Sequence, residues 1–199
     1  GSSFTATVNI TDSYYNPVTN ATGTVQITTN DSFDTDPAQQ YFVSNTTYAV
    51  TLVTAKNTIL NAATVPAGIY TQANSGTISV QPNSPTRLQL LVPGETAVQG
   101  SIIGKSGTPS ALTAGTNYEV TVNLTDSWWN KVTSGQMPSV LVNTSDPFDT
   151  EPYENSLTNG TTVYIVNFRR AWWGSYGGAA AATATITAQD MSPGIYITN

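Results

Sequence analysis

Apolar and polar residues alternate along most of this chain. Phe4, Ala6, Val8 and Ile10 are separated by Thr5, Thr7 and Asn9, and Tyr118, Val120, Val122 and Leu124 by Glu119, Thr121 and Asn123. A period of two puts successive side chains on opposite faces, so each stretch predicts a strand with one buried face. Val25 with Ile27, and Val140 with Val142, predict the next strand of each set. Tyr48, Val50 and Leu52 predict a third, and Val163, Ile165 and Asn167 read as its counterpart. Ala184, Ile186 and Ala188 share one side of another, Ile78 and Val80 form a short strand, and the apolar run Leu88–Val92 ends at Pro93-Gly94. No useful length shows the apolar spacing of three and four that marks a helix. The Ala run at 179–182 lacks an apolar face and adjoins Gly177 and Gly178. Asn16-Pro17, Ala67-Gly68 and Pro93-Gly94 punctuate the strands as turns.

The strands come in two sets. VNITDSYYN (8–16) matches VNLTDSWWN (122–130), TNDSFDTDP (29–37) matches TSDPFDTEP (144–152), and PAGIY (66–70) matches PGIY (193–196). Three blocks in one order predict two copies of a single domain. The spacing between matched blocks widens from 114 residues at Asp12/Asp126 to 126 at Tyr70/Tyr196, which predicts an insertion near residues 169–182 of the second copy. About seven short strands per copy, with turns between them, predict an antiparallel sandwich. The expected fold is therefore all-β, with one sandwich over residues 1–82 and a second over 83–199. On this frame the strand equivalent to 86–93 is missing before Gly1, and the second copy lacks an equivalent of GTISV (76–80). The chain then reads as an excerpt of a longer array, or as a subunit whose neighbours donate the missing strands.

Composition narrows the chemistry. The 199 residues include no Cys and no His, and only 9% are charged. Disulfides, thiolate nucleophiles, imidazole acid–base catalysis and Cys/His zinc sites are excluded. A net charge of −6 with six Lys and Arg argues against nucleic acid. No apolar run approaches the roughly 18 residues of a membrane-spanning helix. Low charge with abundant Thr, Ser and Asn suits an extracellular β-protein.

The stretch TRLQLLVPGETAVQGSIIGKSGTPSALTAGTNYEVTVNLTDSWWNKV (86–132) resembles the start of a bacterial immunoglobulin-like (Big-type) repeat. The resemblance rests on Thr113-Ala114-Gly115, on Asp126, and on the aromatic-Asn-x-Val corner at Trp129, Asn130 and Val132, with Asp12, Tyr15, Asn16 and Val18 as counterparts in the first copy. It covers nearly the whole chain and implies tandem immunoglobulin-like sandwiches. Such repeats are stacked in cell-surface proteins, adhesins and envelope layers, as spacers or binding modules. The expected function is an extracellular structural protein of a surface fibre, layer or stalk, whose partners are copies of itself or neighbouring repeats. The alternative is an adhesive module that binds glycans or a cell surface through the aromatic loop of the insertion. No catalytic role is expected.

Four sets of candidate residues follow. Asp31, Asp34 and Asp36, echoed by Asp146, Asp149 and Glu151, place carboxylates two or three residues apart in loops. Such groups hold a hard cation such as calcium, and equally they close Asx-turns. Arg169, Arg170, Trp172, Trp173 and Tyr176 lie in the insertion and are residue types that dominate contact surfaces. They are candidates for a subunit contact, for glycan binding or for plugging their own sandwich. Asn9, Asn20, Asn30, Asn45, Asn123, Asn143 and Asn159 each begin an Asn-x-Ser/Thr sequon. The aromatic pairs Tyr14-Tyr15 and Trp128-Trp129, if on a strand, place one ring in the core and one outside.

Overall fold

A computed structural model of the chain describes residues 1–151, 154–171 and 183–192. The described residues contain strands, turns and no helix, so none that could cross a membrane. The chain divides into two compact units, Gly1–Gln81 and Pro82–Asn199. All strand pairs are antiparallel.

In the first unit the strands are β1 (Ser3–Asn9), β2 (Thr22–Thr29), β3 (Gln40–Val43), β4 (Asn45–Thr51), β5 (Asn57–Thr58), β6 (Leu60–Thr64), β7 (Ala73–Asn74) and β8 (Ile78–Ser79). β1 pairs with β4 from Ser3↔Thr51 to Asn9↔Asn45, and a second sheet runs β3-β2-β6-β7. Their facing sides meet in a core of Ile27, Tyr48, Val50, Leu52 and Leu60, with Phe4, Ala6 and Val8 packed against it. Ile10, Val25 and Phe42 form a smaller cluster. β5 and β8 make a separate two-stranded ladder.

In the second unit the strands are β9 (Arg87–Leu91), β10 (Glu95–Ala97), β11 (Lys105–Gly107), β12 (Tyr118–Thr125), β13 (Ser139–Thr144), β14 (Asn155–Ser156), β15 (Thr161–Val166) and β16 (Ile186–Asp190). One sheet has the order β15-β12-β9 and the other β14-β13-β16, with the β10–β11 ladder beside them. Between the two main sheets lie Val120, Val122, Leu124, Val140, Val142, Tyr164 and Val166, all buried. Each such side chain contributes about 1.5–3 kcal/mol by leaving water. β12 is central in its sheet, so its polar face is covered as well: Asn123 and Thr125 are buried, Asn123 donating to Gln89 Oε1 (2.9 Å) and accepting from Thr161 Oγ1 (2.8 Å).

One expected strand face is reversed. The alternation predicts Val163 and Ile165 inside, but both are half exposed, and Tyr164, Val166 and Phe168 fill the core. A slip of one residue exchanges the faces of a strand. Its source is the preceding hairpin. Where the first unit turns through Ser44 alone, at φ 66°, the second uses Asn159-Gly160, at φ 50° and 72°. Asn-Gly is the favoured pair for a two-residue hairpin turn with both φ values positive. The extra residue puts Tyr164, not Val163, at the position equivalent to Tyr48, and the tyrosine hydroxyls donate to β2 at Val25 O (2.6 Å) and to β13 at Val140 O.

Candidate functional site

The first carboxylate site follows β1 in the first unit and β12 in the second. Asp12 Oδ1 accepts the N–H groups of Tyr14 (2.8 Å) and Asn16 (2.9 Å), and Oδ2 accepts the Asn16 side-chain amide (3.0 Å). Asp126 does the same with Trp128 (2.8 Å), Asn130 (3.0 Å) and the Asn130 amide (2.9 Å). The turn forces its third residue into the left-handed region, Tyr15 at φ 63° and Trp129 at φ 60°. This is why neither pair divides into a core and a surface ring. Tyr14 and Tyr15 are 83% and 86% exposed, while Trp128 and Trp129 are half buried. Trp129 lies against Gly104, where a Cβ would come within 2.3 Å of its ring; Nε1 donates to Ile102 O (3.1 Å), and the Arg87 guanidinium sits 4.8 Å from its centroid. The Asn16 side chain and the two amides hold the Asp12 carboxyl below its ordinary pKa.

The second site is the acidic loop. Asp31 is buried; Oδ1 accepts from Phe33 N (3.2 Å) and Thr54 Oγ1, and Oδ2 from Val53 N (2.9 Å) and Thr54 N (2.8 Å). Thr29 completes the loop: its hydroxyl donates to Asp34 Oδ2 (2.8 Å), its amide donates to Asp36 Oδ1 (2.9 Å), and its oxygen accepts from Asp31 N (3.0 Å). The second unit repeats the pattern around Thr144. Asp149 accepts its hydroxyl, Glu151 accepts its amide (3.1 Å), and Asp146 N donates to its oxygen (3.1 Å). Asp146 Oδ1 then takes Phe148 N (3.0 Å), while Oδ2 takes Arg169 N (2.7 Å) and Arg170 N (2.8 Å). Each aspartate thus ties a loop to the strand that ends beside it.

Burial alone would raise the Asp31 carboxyl, but the Thr54 hydroxyl and the amides of Thr54, Val53 and Phe33 outweigh it and lower the pKa. Asp146 is lowered likewise: the amides of Arg170, Phe148 and Arg169, with the Arg170 charge, overcome its burial. Asp34 goes the other way, raised by burial and by its neighbours Asp31 and Asp36 against the Thr29 hydroxyl. Glu151 is also raised, by burial first and then by Asp149 and Asp146, against the Thr144 amide.

These geometries place the expected residues as follows. All six loop carboxylates accept bonds from their own loop, and no group of three or more acidic residues among the described residues is arranged to hold a metal ion. The two carboxylate sites of a unit do not share an end: Asp31 reaches past Thr51, the partner of Ser3, whereas Asp12 follows Asn9, the partner of Asn45. The β1–β4 ladder between them spans on the order of 20 Å. Arg169 and Arg170 enter the second loop through their amides, with exposed side chains, and Arg169 Nη2 reaches Thr150 Oγ1 (3.5 Å). Trp172, Trp173, Tyr176 and the PGIY block at 193–196 lie outside the described residues. Among the sequons, Asn9, Asn20, Asn30, Asn45 and Asn159 are exposed, Asn143 is half buried, and the Asn123 amide is enclosed between Gln89 and Thr161, which leaves no room for a glycan in the folded unit. The thresholds of the loops, Thr29 and Thr144, escape a reading built on charge alone, although each stands two residues before the first aspartate of its matched block, Asp31 or Asp146.

Comparison with family models, curated proteins and solved structures returned no match.

Proposed function

We propose that the chain consists of two copies of one immunoglobulin-like module and belongs to an extracellular structural protein that builds a surface fibre, layer or adhesin stalk by stacking modules or subunits. The observation that carries this reading is the recurrence, in both units, of the same two carboxylate-knotted turns and the same buried tyrosine bond. A protein that spends its acidic residues on fixing loops puts its chemistry into holding shape. The reading is non-enzymatic, and the carboxylates of the two kinds of loop are tied to loop amides and hydroxyls. Partners are copies of the chain or neighbouring modules.

A gold-labelled antibody against the chain, applied to intact source cells, tests this. Labelled fibres or a labelled lattice on the outer surface is the expected result; label confined to the cell interior would overturn it. A second reading has one observation in its favour. Tyr14 and Tyr15 present two open rings side by side, a surface on which a sugar can stack. Retention of the chain on a glycan array, lost in Tyr14→Ala/Tyr15→Ala, would establish that function, and absence of retention would remove it.

A further inference from the structure

The outer edges of β1 and β12 differ in a way that names an occupant. In the second unit β9 lies along β12, with Leu88 opposite Leu124 and Leu90 opposite Val122. The strand it covers is closed: Val122, Leu124 and Thr125 expose no surface, and Asp126 exposes 1%. In the first unit β1 pairs only with β4 among the described residues. Of the equivalent positions, Val8 is half buried and Asn9, Thr11 and Asp12 are exposed, while Ile10 keeps 7% of its surface. Beside this edge runs a groove of about 780 Å³ whose lining includes Val8, Ile10, Val25, Ala62 and Ile69. Ile10 N donates to Ser44 O on the β4 side, so strand alternation turns the N–H groups of Thr7 and Asn9 toward the groove. In the second unit the Thr125 carbonyl accepts Thr86 N (2.8 Å) from the covering chain, and Asp126 Oδ2 accepts Asn83 N (2.9 Å). Thr11 and Asp12 offer the corresponding acceptors. Every described strand of the chain is already paired within its own unit, so none is spare to fill the site.

We propose that the β1 edge takes an extended polypeptide segment from outside residues 1–199, antiparallel to β1, with aliphatic side chains at alternate positions. One seats over Ile10 and the next but one over Val8, as Leu88 and Leu90 do over Leu124 and Val122. Main-chain bonds to Thr7 and Asn9 supply affinity, and the two aliphatic seats supply register. The inference rests on equating the two units as copies of one module.

The test titrates a synthetic peptide of residues 84–94 onto the full chain and follows amide exchange. The expected result is saturable binding, exchange at Thr7 and Asn9 slowed at least tenfold, and β12 unchanged. Peptides carrying Leu88→Asp with Leu90→Asp, or an N-methyl group on Gln89, lose the effect. Three results would overturn the proposal: no saturable binding, protection that does not include Thr7 and Asn9, or concentration-dependent protection of this edge by the chain alone, which would make a second copy the occupant. Failure of the peptide with surface fibres still labelled removes only the strand route. Peptide binding with no label outside the cell removes the surface reading and keeps the edge.

Discussion

Replacing Asp31 by Asn keeps its shape and removes its charge, and the structure sets the cost. The native carboxylate accepts four bonds, from Phe33 N, Val53 N, Thr54 N and Thr54 Oγ1. Asn supplies one acceptor oxygen and one NH2. The better orientation turns the oxygen to the Val53 and Thr54 amides and the NH2 to the Thr54 hydroxyl, which then accepts; the Phe33 amide loses its acceptor. A bond to a charged group contributes about 1.5–3 kcal/mol against about 1 for a neutral one. Three weakened bonds and one lost give about 3 kcal/mol, and Asp31→Ala, which removes all four, about 4 or more. In a unit of this size each kcal/mol moves Tm by about 4–8 °C. The Asp31→Asn transition of the first unit should therefore fall by more than about 8 °C at pH 7, read by calorimetry with the second unit as internal reference. The pH dependence has a definite sign. The folded pKa of Asp31 is lowered, so its contribution is present above the unfolded value near 3.8 and is lost as pH falls through the folded one. The gap between parent and variant should narrow below about pH 4. A variant that melts within about 2 °C of the parent at pH 7, or a gap as wide at pH 3 as at pH 7, would refute the knot.

Other outcomes follow from the same geometry. Tyr48→Phe and Tyr164→Phe should each cost about 1 kcal/mol in the transition of their own unit, since each removes a buried hydroxyl bond, Tyr164 giving up a longer one to Asn155 O (3.2 Å) as well. Gly160→Ala should cost about 2 kcal/mol or more by denaturant unfolding, because its Cβ would lie 1.9 Å from Val132 O at φ 72°. Asp34→Asn should hold or raise stability at pH 7: the folded pKa of Asp34 is raised, so the charged form is the disfavoured one, and the contribution of the protonated form is lost as pH rises through that value. Calcium at millimolar concentration, or a chelator, should move neither transition by more than about 1 °C, since the loop carboxylates are engaged by their own amides and hydroxyls.

Much of the ladder structure was legible in the chain. Period-two alternation located β1, β2, β12 and β13 with the correct face inward, because each packs one side against a core and exposes or pairs the other. The same rule failed at β15. Thr161–Val166 is apolar at consecutive positions, so alternation alone does not fix its face; one extra turn residue at Asn159-Gly160 did. The acidic loops were legible as sites and ambiguous as chemistry. Spacing of carboxylates is the same for a cation cage and for a pair of loop knots; which of them forms depends on amides brought from 22 to 24 residues away, at Val53 and Thr54 or at Arg169 and Arg170.

Pattern and composition by themselves determined that this protein is all-β, that its loops carry matched aspartates, and that histidine and cysteine chemistry is absent. These are properties of local spacing and residue type. Tertiary structure decided which face of β15 is core, that the paired aromatics sit on left-handed turns instead of strand faces, and that Asn123 is enclosed while Asn9 at the equivalent place is open. Asn123 is closed in by a strand distant in sequence, β9 over β12, whereas the other two follow from the backbone of the turns at Asn159-Gly160 and after Asp12 and Asp126.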